Sequence, residues 1–100
     1  MENITYREAL RRGIWEEMEK DPNVMMYGED VALIGGTYGV SQGMLEHFGP
    51  ERILDTPLVE TAIVGTAAGA AMTGLRPIGE IMFIDFLLMT MDQLANQAAK

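Results

Sequence analysis

Apolar positions along the chain change period several times, and each change marks an element. Thr5-Tyr-Arg-Glu8 has the form of a capping box, and Ala9, Leu10, Gly13, Ile14 and Met18 follow at helical spacing. A helix is therefore expected from Tyr6 to the stop at Asp21-Pro22. Val24-Met-Met-Tyr27, bounded by Asn23 and Gly28, reads as a short strand buried on both faces. Ser41 to Phe48 is a short amphipathic helix closed by Gly49-Pro50, and Arg52 to Asp55 is a second strand. Pro57 cannot donate to a central ladder, so that strand stops and a small-residue helix follows through Met72, closed by Gly74. Pro77 to Ile84, more apolar than alternating, reads as a third and central strand. Phe86 to Lys100 is then expected to be a helix with Leu87, Met91, Leu94 and Ala98 facing inward. Helices alternating with strands imply an α/β fold, a parallel sheet with helices on both faces.

The 100 residues suffice for one domain. The last helical pattern, Leu94 to Lys100, lacks a Gly or Asn stop, so the chain reads as a cut segment. Gly65 and Gly69 each cost about 1 kcal/mol relative to Ala inside a helix. Close packing against the sheet or a neighbouring helix is the simplest compensation.

The formal net charge of −8 opposes binding to a phosphate backbone, so nucleic acid is not an expected partner. Arg7, Arg11, Arg12 and Lys20 are interleaved with glutamates on what reads as a solvated helix face. Cysteine is absent, which excludes disulfides and thiolate metal sites, and the one histidine, His47, has no partner at a metal-ligand spacing; no metal site is expected. Neither apolar tract, Thr61 to Leu75 or Ile81 to Met91, has the roughly 20 residues needed to span a bilayer. The first residues do not resemble a secretory signal, so a cytoplasmic location is expected.

The chemistry open to this composition is narrow. A hydrolase would need a nucleophile with a base, and there is neither Cys nor a Ser in a nucleophile elbow. Gly35-Gly36-Thr-Tyr-Gly39 lacks the spacing of a dinucleotide loop and reads as a turn-rich connector. What remains is acids at strand ends, Glu29, Asp30 and Asp85, together with Glu60 where the second strand hands over to a helix. Thr56, Val59 or Glu60 lies at that helix mouth, where free N–H groups favour an anion. Glu60 is equally an ordinary first-turn acid, and Glu29 and Asp30 are equally solvated loop residues, until something supplies a partner. Such acids beside aromatic and Met residues suit a flat heterocycle, a carboxylate bonding a ring nitrogen while apolar groups cover the face.

Gly28-Glu-Asp-Val31, Gly36-Thr-Tyr-Gly-Val-Ser-Gln-Gly43, Phe48-Gly-Pro-Glu-Arg52, Asp55-Thr-Pro-Leu-Val-Glu60, Gly69-Ala-Ala-Met-Thr-Gly-Leu-Arg-Pro77 and Asp92-Gln-Leu-Ala-Asn-Gln-Ala-Ala-Lys100 occur in that order. Together they resemble the β subunit of thiamine-diphosphate-dependent 2-oxoacid (pyruvate, branched-chain) or acetoin dehydrogenases. The resemblance runs through residues 1–100 and implies the amino-terminal part of a transketolase-like pyrimidine-binding domain. It further implies that Glu60 bonds the pyrimidine nitrogen of thiamine diphosphate and favours its imino tautomer, whose nitrogen takes the proton from the thiazolium carbon. Leu58, Met82 and Phe86 would line the ring, and Glu29 would be a proton-relay acid. Mg²⁺ and the diphosphate would belong to a partner α subunit in an α2β2 assembly, with a lipoyl-bearing acyltransferase core as a further partner. Phe83-Ile-Asp-Phe86 and Asp92-Gln look closer to acetoin- or branched-chain-type relatives, with pyruvate still possible, and the 100 residues alone are expected to be inactive. The competing reading is a non-catalytic interaction module, in which Gly65 and Gly69 serve only subunit packing.

Overall fold

In the computed structural model, which describes residues 2–100, the chain runs α1 (Tyr6–Lys20), β1 (Val24–Gly28), α2 (Met44–Phe48), β2 (Ile53–Asp55), α3 (Glu60–Met72) and β3 (Arg76–Glu80). A 3-10 segment (Ile84–Thr90) and a π-helical segment (Asp92–Ala98) complete it. The strands form one parallel sheet in the order β2-β1-β3. Side chains alternate across a strand, so Val24 and Met26 face one side of β1 and Met25 and Tyr27 the other. Met26 is in register with Ile53 and Ile78, and this face packs with Met18 of α1, Val31, and Met44, Leu45 and Phe48 of α2. On the opposite face the Tyr27 hydroxyl donates to the Ile63 carbonyl at 2.8 Å and lies 2.8 Å from Thr66 Oγ1, fixing α3 over the sheet. Helices thus cover both faces.

Gly79 makes that second face close. It is in register with Tyr27, and a Cβ built there would sit 3.3 Å from Ile63 Cγ2 and 3.7 Å from Ala67 Cβ. The close contact between sheet and α3 therefore rests on a strand glycine rather than on the helix glycines. Gly65 does face a neighbour, since its Cβ would lie 3.3 Å from Gln93 Cγ, whereas a Cβ on Gly69 would meet nothing within 4 Å.

Arg52 holds the amino-terminal edge. Its Nη2 donates to the carbonyls of Met18 (2.7 Å), Asp21 (3.0 Å) and Val24 (2.9 Å), and Nε reaches Val24 at 3.1 Å. One guanidinium thereby satisfies carbonyls left open at the end of α1 and at the start of β1. It also lies over the Phe48 ring, 5.0 Å from its centroid.

The structure differs from the sequence pattern in four places. In α1 only Ile14, Trp15 and Met18 join the core; Ala9, Leu10 and Gly13 are exposed, because the amino-terminal half runs beside the loop at 38–42. Arg7 and Arg11 donate to the Tyr38 and Val40 carbonyls there, so they are not merely solvated. The Thr5 hydroxyl caps the Glu8 N–H at 3.1 Å, but the Glu8 carboxylate pairs with Arg12 instead of reaching back. Secondly, α2 starts at Met44, since the buried Ser41 hydroxyl donates to the Val31 carbonyl at 2.7 Å and leaves the helix. Thirdly, β3 is an edge strand and ends at Glu80, where its partner β1 ends in register at Gly28. Pro77 suits an edge, having no N–H to give to a further strand. Finally, residues 84–98 wind as 3-10 and then π turns, with Thr90 donating to the Leu87 carbonyl at 2.6 Å. Thr90 and Gln93 turn inward, while Met91, Leu94 and Ala98 are exposed.

Two substitutions test this packing by denaturant unfolding. Arg52→Met strips charged donors from buried carbonyls and should cost about 2–3 kcal/mol. Gly79→Val forces α3 away and should cost about 1–3 kcal/mol. Gly69→Ala, with open space around it, should instead be neutral or stabilising by up to about 1 kcal/mol.

Candidate functional site

The segments leaving adjacent strands β1 and β3 turn to opposite faces: the chain after β1 leads to α2, and the chain after β3 packs on α3. In open α/β sheets the carboxyl end of such a pair is a crevice, the usual place for a ligand. Gly28 and Glu80 stand in register at that end, with a Cβ on Gly28 placed 2.9 Å from Glu80 Cβ and from the Glu80 carbonyl. Glu29 follows directly, and Glu60 opens α3 beside it.

These acids are withdrawn from solvent. Glu29 is 8% exposed and Glu60 7%, and one carboxyl oxygen of Glu80, Oε2, is buried without a hydrogen-bond partner. Burial, then the Glu60 and Asp30 charges, raise the Glu29 carboxyl above the ordinary carboxylate range. Burial, then the Glu29 charge, raise Glu80 likewise. Among the described residues no ion pair reaches any of the three. Arg52 and Arg76 are engaged at the amino-terminal edge of the sheet, the latter 3.5 Å from Asp21.

The loop after Glu29 is held in place by its own geometry. Asp30 adopts a left-handed conformation (φ 58°), and its carbonyl accepts from Gly36 N–H at 2.7 Å. The Asp55 carboxylate accepts from the amides of Ala32 (2.7 Å) and Leu33 (3.2 Å), tying the loop to the end of β2. Gly35–Gly39 is a turn-rich connector, as its spacing indicates; Gly35, at φ 91°, leaves no room for a side chain because a Cβ would lie 2.8 Å from Gln42 Cα.

Of the residues singled out in the sequence, Glu29 and Glu60 are brought together. Leu58 is 72% exposed in the turn before α3. Met82 is half-buried in the bend after β3, and Phe86 lies in the 3-10 segment that packs on α3, edge-on to Phe83 at 6.2 Å. Phe83 is edge-on in turn to Tyr38 at 6.3 Å. Asp85 is exposed. His47 sits at the surface, paired with Glu19 and packed against Trp15 and Phe48. Glu80 went unnoticed in the sequence; the available signal was a lone acid inside an otherwise apolar strand.

A parallel α/β domain with buried acids clustered at a switch-point crevice is thus the class that fold and site define. The chain belongs to the transketolase pyrimidine-binding domain family, whose model matches residues 2–100. It is similar to the pyruvate dehydrogenase E1 component subunit beta of Rickettsia bellii (strain RML369-C), 52% identical over 97 residues, which cover 97% of this chain and 30% of that protein. The 2-oxoisovalerate dehydrogenase subunit beta of Bacillus subtilis (strain 168) is 45% identical over 100 residues, covering all of this chain and 31% of the relative. A mitochondrial pyruvate dehydrogenase E1 component subunit beta-2 of Oryza sativa subsp. japonica is 46% identical over 97 residues, 97% of this chain and 26% of the relative. The chain therefore spans under a third of the length of these relatives. Among the described residues no helix is long and apolar enough to cross a membrane, and no group of three His, Cys, Asp or Glu side chains could hold a metal ion.

The raised carboxyls set a pH dependence with a definite sign. Between the ordinary carboxyl value of 4.5 and the raised folded-state values, the folded chain binds more protons than the unfolded one, so stability falls as pH rises through that window. Denaturant unfolding across pH should show this decline, and Glu80→Gln should flatten it.

Proposed function

We propose that this chain binds the pyrimidine end of thiamine diphosphate as the amino-terminal part of the β subunit of a 2-oxoacid or acetoin dehydrogenase, in its decarboxylating component. One observation carries the reading: Glu60, 7% exposed, opens α3 with no cation paired to it among the described residues. A buried carboxylate in that state suits a ring nitrogen as its hydrogen-bond partner, so the residues fit the group.

When bound, thiamine diphosphate supplies the electron sink for cleaving the bond beside a substrate carbonyl. Glu60 holds and exchanges a proton at its carboxylate oxygen, a task that withdrawal from water assists. Leu58, Met82 and Phe86 supply apolar cover for the ring, and Glu29 exchanges protons next to Glu60. Mg²⁺ and the diphosphate belong to the partner α subunit. Leu33, Ile34, Leu58, Met72, Ile84 and Leu88 are each about two-thirds exposed or more, apolar surface suited to cover by partner chains in an α2β2 assembly. A lipoyl-bearing acyltransferase core is the acceptor. The proposed compartment is the cytoplasm, although the rice relative is named as mitochondrial.

The test is proton exchange at the reactive carbon of the bound cofactor in the assembled α/β enzyme. Glu60→Gln should slow it by about 10²–10⁴-fold, the range for losing a positioned acid–base group. Exchange at the wild-type rate contradicts the reading.

A further inference from the structure

Phe86, proposed above as apolar cover for the ring, stands on a weak support. It sits in the 3-10 segment Ile84–Thr90, and a 3-10 run longer than three or four residues is seldom stable by itself because its hydrogen-bond geometry is poor. The far end of the segment is anchored by Thr90, which is fully buried and bonds back to the Leu87 carbonyl. At the near end Ile84 and Asp85 are exposed, and the Phe86 N–H donates to the Phe83 carbonyl at 3.0 Å. The position of Phe86 therefore follows that of Phe83, to which its ring is also edge-on.

Phe83 in turn meets Tyr38, with the two ring planes at 81°. The pair joins the two segments that part at the crevice, one following β1 and the other following β3. Tyr38 is built to hold rather than to be held. It occupies a tight turn in which the Gly39 N–H donates to the Gly36 carbonyl at 3.2 Å. The base of that turn is pinned by the Gly36 N–H on the Asp30 carbonyl, the Ser41 N–H on the Gly35 carbonyl at 3.1 Å and the Ser41 hydroxyl on the Val31 carbonyl. Arg7 of α1 donates to the Tyr38 carbonyl itself. The Tyr38 side chain is 61% exposed, so it does not fill the core. Edge-to-face aromatic pairs at such separations attract through their ring quadrupoles beyond the area they bury.

We propose that Tyr38 is a positioning residue: its ring, acting through Phe83, holds Phe86 in the place from which it covers the pyrimidine. The interaction needs the aromatic ring and not the phenol hydroxyl. That Phe86 meets the cofactor rests on the function proposed above; that Tyr38 fixes Phe86 does not.

Fluorine NMR of the assembled α/β enzyme carrying fluorophenylalanine tests this, with the Phe86 resonance identified by its loss in Phe86→Leu. Without cofactor, that resonance should be one sharp line in the wild type and in Tyr38→Phe. It should broaden or split in Tyr38→Ala and in Phe83→Leu, as the ring takes more than one position. A single sharp line in either of the last two variants overturns the proposal, and so does a line disturbed as much by Tyr38→Phe as by Tyr38→Ala. Calorimetric titration with thiamine diphosphate then reads the consequence. Tyr38→Ala should weaken binding by about 2–10-fold, the range for losing one aromatic pair, and should have no further effect in the Phe86→Leu background. A loss of equal size in that background overturns action through Phe86. Unchanged cofactor affinity in Phe86→Leu itself would remove the reading of Phe86 as ring cover and leave the fluorine result standing.

Discussion

Three parallel strands end level with one another at Gly28, Asp55 and Glu80, and the chemistry proposed for this chain depends on that shared edge. A parallel ladder brings every strand's carboxyl end to the same side, and the switch between β1 and β3 opens a gap there. Glu29 follows β1, Glu60 opens α3 and Glu80 ends β3, so the three acids come from separate parts of the chain. The Tyr27 hydroxyl, held by Ile63 and Thr66, fixes the start of α3 relative to β1, so the separation of Glu60 from Glu29 is a property of the packed sheet.

Charge is segregated along the strand direction. Arg52 and Arg76 serve the amino-terminal edge, where carbonyls and Asp21 receive them, and among the described residues no ion pair reaches the acids at the carboxyl edge, Glu29, Glu60 and Glu80. Folding has to bury carboxyls that would be better solvated, and Glu80 Oε2 lacks even a hydrogen bond. Burial of this kind raises the Glu29 and Glu80 carboxyls above the ordinary carboxylate range, a departure that clusters at functional sites. The Arg52 clamp and the close Gly79 contact supply the rigidity against which such a site can be held.

Much of this was legible in local sequence. The capping box at Thr5, the stop at Asp21-Pro22 and the apolar run at Val24 located α1 and β1, and Pro57 placed the handover that puts Glu60 at the start of α3. What escaped depends on pairing between distant residues. Glu80 looked like the middle of a strand because apolar residues continue to Ile84, and only the end of β1 truncates the ladder there. Gly79 drew no notice beside the helix glycines, since its role depends on Ile63 lying across the sheet. The final helical pattern gave no sign of 3-10 and π winding, a stretch in which Thr90 bonds back to the Leu87 carbonyl. Likewise, Arg52 reads as a polar strand residue until α1 is folded against it.

The central claim is that the Glu60 carboxylate is kept unpaired by the fold so that a pyrimidine ring can be its partner. A crystal structure of the assembled α/β enzyme with thiamine diphosphate bound tests it most directly. The account predicts a Glu60 carboxylate oxygen within hydrogen-bonding distance of a pyrimidine ring nitrogen, with Glu29 and Glu80 adjoining it at the crevice. A Glu60 side chain bonded to a protein group instead, with the ring held elsewhere, would contradict it.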